Sequence, residues 1–158
     1  MAILNIVKEG DPTLRKVCRP VTEITPRILQ LLDDMKETLL EANGAGLAAP
    51  QVGILRRIAV VDTGDDIIEL INPEIVETDG EQEEVEGCLS VPDVWGLTHR
   101  PMWVKVKALN RKGEEFTVEG EDLNARCFCH EIDHLDGHLF TDRTVRILTP
   151  EEVEEIRG

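Results

Sequence analysis

The sequence predicts an α+β fold with antiparallel strand pairing, and three observations lead there. Helix signals cluster near residue 25, near residue 122 and after residue 149. Short runs rich in Ile and Val, joined by turn residues, fill the middle of the chain. Strands and helices are therefore segregated rather than alternating.

The first helix is announced by Thr25-Pro26, a capping residue followed by a proline where the missing N–H costs nothing. Ile28, Leu32, Met35, Leu39 and Ala42 then recur on one helical face. Asn43-Gly44, which tolerate positive φ, end it. A Gly- and Ala-rich segment from Gly44 to Gly53 reads as a loop. Arg57–Asp62 and Ile67–Ile71 read as strands, and Asp79-Gly80 reads as the turn of a hairpin between two more. Trp103 to Ala108 alternates apolar and charged residues, and Asn110 to Gly113 turns the chain into Glu115–Val118. A second helix is expected over Asp122 to Leu135 with Gly137 as its stop. Thr149-Pro150 followed by two glutamates opens a short acidic third helix.

The 158 residues suit one domain, 1–158, and can bury a real core. Aromatic residues make up only 3%, so that core must consist mostly of aliphatic side chains. A net charge of −15 argues against a nucleic-acid partner, since displacing phosphate counterions takes Lys and Arg. No segment approaches the ~20 apolar residues that span a bilayer, so no membrane partner is expected. The N-terminus turns charged too early for a signal peptide, and the expected location is cytoplasmic. In that reducing setting the four cysteines (Cys18, Cys88, Cys127, Cys129) point to metal or thiol chemistry rather than disulfides.

The sharpest motif is His130-Glu131-Ile132-Asp133-His134, an H-E-x-x-H on the second helix. Residues i and i+4 share a face, so both imidazoles can reach one metal ion. Glu131 stands next to a ligand, placed to exchange a proton with water activated by that ion. A third ligand must come from elsewhere. The zinc-peptidase pattern places its last His at position 140, where this chain has Phe140, and His138 is out of register. Cys127 shares the histidine face but lies about 10 Å of helix rise from His134, too far for bonds of ~2.0–2.3 Å. It is better placed to line a pocket, and Cys129 to pack in the core. Cys88, beside Gly87, belongs to a separate element and could converge on the histidines from another direction. A Cys next to Gly is also commonly a small buried hydrophobe.

Three segments together resemble the peptide deformylase family: Gly44-Ala45-Gly46-Leu47-Ala48-Ala49-Pro50-Gln51, Glu86-Gly87-Cys88-Leu89-Ser90 and His130-Glu131-Ile132-Asp133-His134. The N-terminal arm, with Asp11-Pro12, Leu14-Arg15 and Pro20-Val21, is similar too, and the likeness covers almost the whole chain. It implies antiparallel sheets packed around a central helix carrying the HExxH motif, with an N-terminal helix. It also implies removal of the N-formyl group from formyl-methionyl peptides on nascent chains, releasing formate.

The resemblance makes Cys88, His130 and His134 the ligands of one divalent ion. Fe²⁺ is the expected native metal, and Zn²⁺, Ni²⁺ or Co²⁺ can substitute. Glu131 becomes the general acid/base, and Gln51 with the backbone N–H of Leu89 the donors to the formyl oxygen. Gly44, Ala45, Gly46 and Cys127 are expected around the substrate, the glycines helping to position Gln51. Arg100, Glu86 and Asp133 are candidates for orienting the ligands. A small zinc endopeptidase is the alternative. Two departures from the family pattern, Cys129 where Gln is common and Ala45 where Ile is common, touch peptide preference rather than the ligands. Some relatives dock on the ribosome through a basic C-terminal helix, and the acidic tail here gives no support for that.

Overall fold

The structure, a computed structural model, describes residues 2–157. Helix α1 spans Pro26–Ala42, its N-terminus capped by the Thr25 hydroxyl, which accepts from the Ile28 N–H at 3.3 Å. Asn43 ends it at φ 58°, its own N–H turned back to the carbonyls of Leu39 and Leu40. Leu32, Met35 and Leu39 bury the predicted face against Leu47, Ile58, Val60 and Ile71.

Those partners lie in a five-stranded antiparallel sheet built from β1 (Gly46–Ala48), β2 (Ile58–Asp62), β3 (Ile67–Asp79), β6 (Trp103–Leu109) and β7 (Glu115–Glu121), neighbours in that order. A second sheet joins β4 (Gln82–Cys88), β5 (Val91–Arg100) and β8 (Thr144–Ile147). Helix α2 (Leu123–Leu135) packs against strands of both sheets and carries the H-E-x-x-H segment through the middle of the molecule. Ala125, Phe128 and Ile132 anchor it in a core with Val61, Leu70, Val104 and Val106. Helix α3 (Pro150–Arg157) closes the described chain.

The architecture is the α+β arrangement expected, with three local differences. Gly44–Gly53 is not a loop throughout. Gly46–Ala48 pairs with β2 (Leu47 opposite Val60), and Ala49–Val52 forms a 3₁₀ turn. Because Leu47 and Ala48 are both buried, the segment shows no alternation from which a strand could be read. Asp79-Gly80 is not a hairpin turn either. Gly80 reverses the chain at φ 68°, but β3 pairs with β6 while β4 pairs with β5, so the turn passes the chain between sheets. Strand β3 also runs past its predicted end at Ile71. The register shifts between Ile71 and Glu74, where Asn72 sits at φ 52° beside Pro73, and pairing resumes beyond that bulge.

Gly137, the predicted stop of α2, adopts φ 81°. A Cβ there would lie 2.7 Å from the Arg15 carbonyl oxygen, so the chain leaves the helix pressed against the N-terminal arm.

Candidate metal centre and substrate pocket

One helical turn of α2 puts the two imidazoles together, with His130 Nε2 and His134 Nε2 3.3 Å apart. Cys88, the last residue of β4, brings its sulfur to 3.4 Å from His134 Nε2. All three donor atoms lie within 4.8 Å of one another, and among the described residues this is the one such group of His, Cys or carboxylate ligands. Bonds of ~2.0–2.3 Å directed tetrahedrally set donors roughly 3.3–3.8 Å apart, and the His134 separations of 3.3 Å and 3.4 Å fall in that range. Two nitrogens and one sulfur suit a borderline-soft divalent metal.

The surrounding residues fix the ligand orientations. His130 Nδ1 lies 2.7 Å from Glu86 Oε1, which leaves Nε2 to face the centre. Arg100, 4% exposed, donates to both oxygens of Glu86 and at 2.7 Å to Asp133, tying β5 to β4 and α2. Burial works to raise the pKa of Glu86, but the hydrogen bonds from His130 and Arg100 hold it near about 2. Arg100, Glu86 and Asp133 therefore form a buried ionic frame behind the ligands rather than a solvated surface cluster.

Glu131 is buried, with Oε2 4.0 Å from His130 Nε2 and Oε1 without a hydrogen-bond partner. Burial, reinforced by the negative charges of Glu86 and Asp133, raises its pKa to about 7 against the opposing pull of His130 and Arg100. Such a carboxyl can hold or give up a proton near neutrality. Gly46 presses on it: a Cβ there would meet Glu131 Oε2 at 2.6 Å. Gly44 lies against Leu89, whose Cδ1 a Cβ would meet at 2.9 Å. These glycines make room for Glu131 and Leu89, whereas the sequence linked them to Gln51.

Gln51 is 1% exposed in the 3₁₀ turn after β1. Its Oε1 accepts from the Ala48 N–H at 2.9 Å, which orients the amide so that Nε2 faces Ser90 Oγ at 3.1 Å and Cys88 Sγ at 3.6 Å. Leu89 lies in the turn between β4 and β5, its carbonyl held by Lys8 Nζ at 3.2 Å. The N-terminal arm ties both donor segments down, through Val7 N–H to Gln51 O and Glu9 N–H to Ser90 O, each at 2.7 Å.

A cavity of about 460 Å³ opens beside these residues, and Gly44, Ala45, Gly46, Gln51, Leu89, Cys127, His130 and Glu131 all line it. Cys127 stands outside the group of Cys88, His130 and His134. Burial, then the charges of Glu131 and Glu86, push its thiol up to about 12. Cys129 packs in the core, and half-exposed His138 lies near Asp142, away from the centre. Phe140 stacks its ring on His130 at 6.1 Å, in the position where an endopeptidase of the extended motif has its third histidine.

Sequence reasoning missed Trp95, Leu123 and Arg126 in the cavity wall. The two α2 residues were readable, since Leu123 and Arg126 stand one turn before Cys127 and His130. Trp95 was not, because β5 contains Pro92 and Gly96 and shows no clean strand pattern. Its indole ring also explains Gly87, where a Cβ would meet it at 2.6 Å.

Comparison with known proteins agrees with this geometry. The family model described as polypeptide deformylase matches residues 3–149. A peptide deformylase of Acetivibrio thermocellus is 57% identical over 157 residues, covering 99% of this chain and 92% of the relative. One from Agathobacter rectalis is 59% identical over 143 residues, covering 90% of each. The crystal structure of peptide deformylase from Thermotoga maritima superposes with a TM-score of 0.88 at 42% identity, covering 91% of this chain and 99% of that one.

Proposed function

The chain belongs to the peptide deformylase family, and on that premise we propose how its residues divide the work of removing an N-formyl group. It is a metal-dependent hydrolase whose substrates are N-formyl-methionyl termini of newly made chains and whose product is formate. Cys88, His130 and His134 hold the divalent ion, Fe²⁺ or Zn²⁺ in this family. When bound, the ion supplies Lewis acidity and makes water a nucleophile near neutral pH.

Glu131 takes the proton of the attacking water and delivers it to the departing amine nitrogen. Its placement supports that role: a buried carboxyl with one oxygen unpartnered, beside the ligands and against the cavity. Negative charge develops on the formyl oxygen as the carbon becomes tetrahedral. Gln51 Nε2 and the Leu89 N–H are the donors that meet it, already oriented by Ala48, Ser90 and the N-terminal arm. The methionine side chain enters the cavity among Ala45, Leu89, Leu123 and Cys127.

We assign one catalytic domain over residues 1–158 and a cytoplasmic setting. The family match spans nearly the whole chain, and no helix among the described residues is long and apolar enough to cross a membrane. The observation that carries the mechanism is Glu131 beside His130 in a group of three donor atoms that lie within 4.8 Å of one another. Glu131→Gln is the test. It should keep one metal per chain while formate release falls roughly 10²–10⁴-fold, and a variant that retains both would remove Glu131 from the mechanism.

A further inference from the structure

Among the described residues Arg126 is the only arginine or lysine that lines the metal cavity, and the hydrolysis itself makes no use of it. Its side chain is 14% exposed. Nη1 donates to Gln82 Oε1 at 2.6 Å and reaches Asp122 Oδ1 at 3.4 Å. Gln82, buried at the start of β4, is fixed in turn: its Nε2 donates to the carbonyls of Pro101 and Asp122, each at 2.9 Å. The guanidinium is therefore anchored through one nitrogen, chiefly on a neutral oxygen. Nε and Nη2 donate to nothing among the described residues, and neither is sealed from open space. Donors so far withdrawn from bulk water are costly to leave unpaired, and a bound molecule that brings an acceptor removes that cost.

The register of α2 says where such an acceptor would stand. Arg126 precedes His130 by four residues on the same helical face, about 6 Å of rise. In a formyl-methionyl peptide the sulfur is five bonds from the formyl carbon, about 6 Å when extended. With the formyl group at the metal centre and the side chain running past Leu123 and Cys127, the sulfur comes level with Arg126. A thioether is only a weak acceptor. One oxygen on that sulfur makes it a strong, neutral and chiral one with little added bulk. A carboxylate at the same place fits worse, because Glu86 and Glu131 line the same cavity and repel an anion.

Resting on the deformylase reading, we propose that Arg126 is a specificity-determining residue that lets the methionine pocket accept formyl-methionine sulfoxide. Its Nε or Nη2 donates to the sulfoxide oxygen. The reaction is unchanged: the formyl C–N bond breaks, water gives its hydroxyl to the formyl carbon and its proton to the amine, and the sulfur keeps its oxidation state.

The test follows formate release by the metal-loaded protein from formyl-Met(O)-Ala-Ser, with the two sulfoxide epimers separated. Formyl-Met-Ala-Ser and formyl-norleucyl-Ala-Ser are run beside it. For the better epimer kcat/KM should lie within about tenfold of the methionine peptide, and the epimers should differ at least about threefold, since a fixed donor reads a chiral sulfur. Arg126→Met keeps an unbranched stem and removes the donors. Its sulfoxide-to-methionine ratio should fall at least about tenfold and the epimers should draw together, while the norleucine-to-methionine ratio holds. Ratios taken within one protein cancel any general loss of activity, and Arg126→Lys should restore part of the sulfoxide ratio. An unchanged ratio in Arg126→Met overturns the proposal. So does refusal of both epimers by wild-type protein that turns over the methionine peptide. If the methionine peptide also stays intact, the deformylase reading falls with it.

Discussion

Gln51 Nε2 donates to Ser90 Oγ at 3.1 Å, so the segment after β1 and the turn that carries Leu89 are held as one unit. Both donors assigned to the formyl oxygen therefore share a support, which the N-terminal arm reinforces through Val7 and Glu9. Ser90→Ala removes that link and leaves a buried amide hydrogen unpaired. One lost hydrogen bond in the transition state corresponds to about a tenfold fall in kcat. Steady-state kinetics should show that fall with metal content unchanged; equal kcat would mean that Ser90 does not position Gln51.

Gly46 has a steric role that can be read in the rate. A Cβ at this position meets Glu131 Oε2 at 2.6 Å, so Gly46→Ala must displace the carboxylate or the strand. A displacement of the order of 1 Å costs about 100-fold in turnover. Formate release should drop by that factor while the ion stays bound.

The Glu86–His130 contact predicts a separation between binding and chemistry. Glu86→Gln keeps the shape but weakens the acceptor for His130 Nδ1, and metal affinity should fall about 10–100-fold in a chelator competition. Glu86→Ala also leaves Arg100 buried with Asp133 alone, which should cost about 3 kcal/mol of stability in urea titration. Unchanged metal affinity in both variants would make Glu86 a purely structural residue.

Away from the site, Glu69 on β3 binds Arg111 and Lys36, joining the β6–β7 turn and α1 to the large sheet. The Arg111 hydrogen bond, chiefly, holds the Glu69 pKa below its ordinary 4.5 in the folded protein. A depressed carboxylate adds stability that is fully present above the unfolded pKa and disappears as pH falls through the folded one. Glu69→Gln should therefore cost about 1 kcal/mol at pH 7, because the partners are partly exposed. The gap between the two proteins should narrow steadily below pH 4.5, and a gap independent of pH would contradict this origin.

The parts of the structure legible in the sequence were those governed by local chemistry. Thr25-Pro26 and Asn43 bound α1 because capping and positive φ are properties of those residues themselves. His130 and His134 share a face because helix geometry requires it. Cys88 was different: spacing left it open, and only the family likeness named it before its sulfur was seen 3.4 Å from His134. Asp79-Gly80 misled because a turn signal does not say which strand the chain will pair with next. Trp95 escaped notice because it reaches the cavity from β5, whose Pro92 and Gly96 hide the strand and whose pairing with β4 is a long-range event. Arg100 could be suspected from the sequence, but its ionic frame required two sheets and a helix to meet.

The central claim is that this Cys/His₂ site removes a formyl group and does not cut chains internally. The most direct measurement loads the protein anaerobically with Fe²⁺ or Ni²⁺ and follows formate release from formyl-Met peptides beside a peptide blocked at both ends. Formate should appear only with the formylated substrate, cease on chelation and return on reloading, while the blocked peptide stays intact. No formate from fully loaded protein, or cleavage of the blocked peptide, would contradict the account.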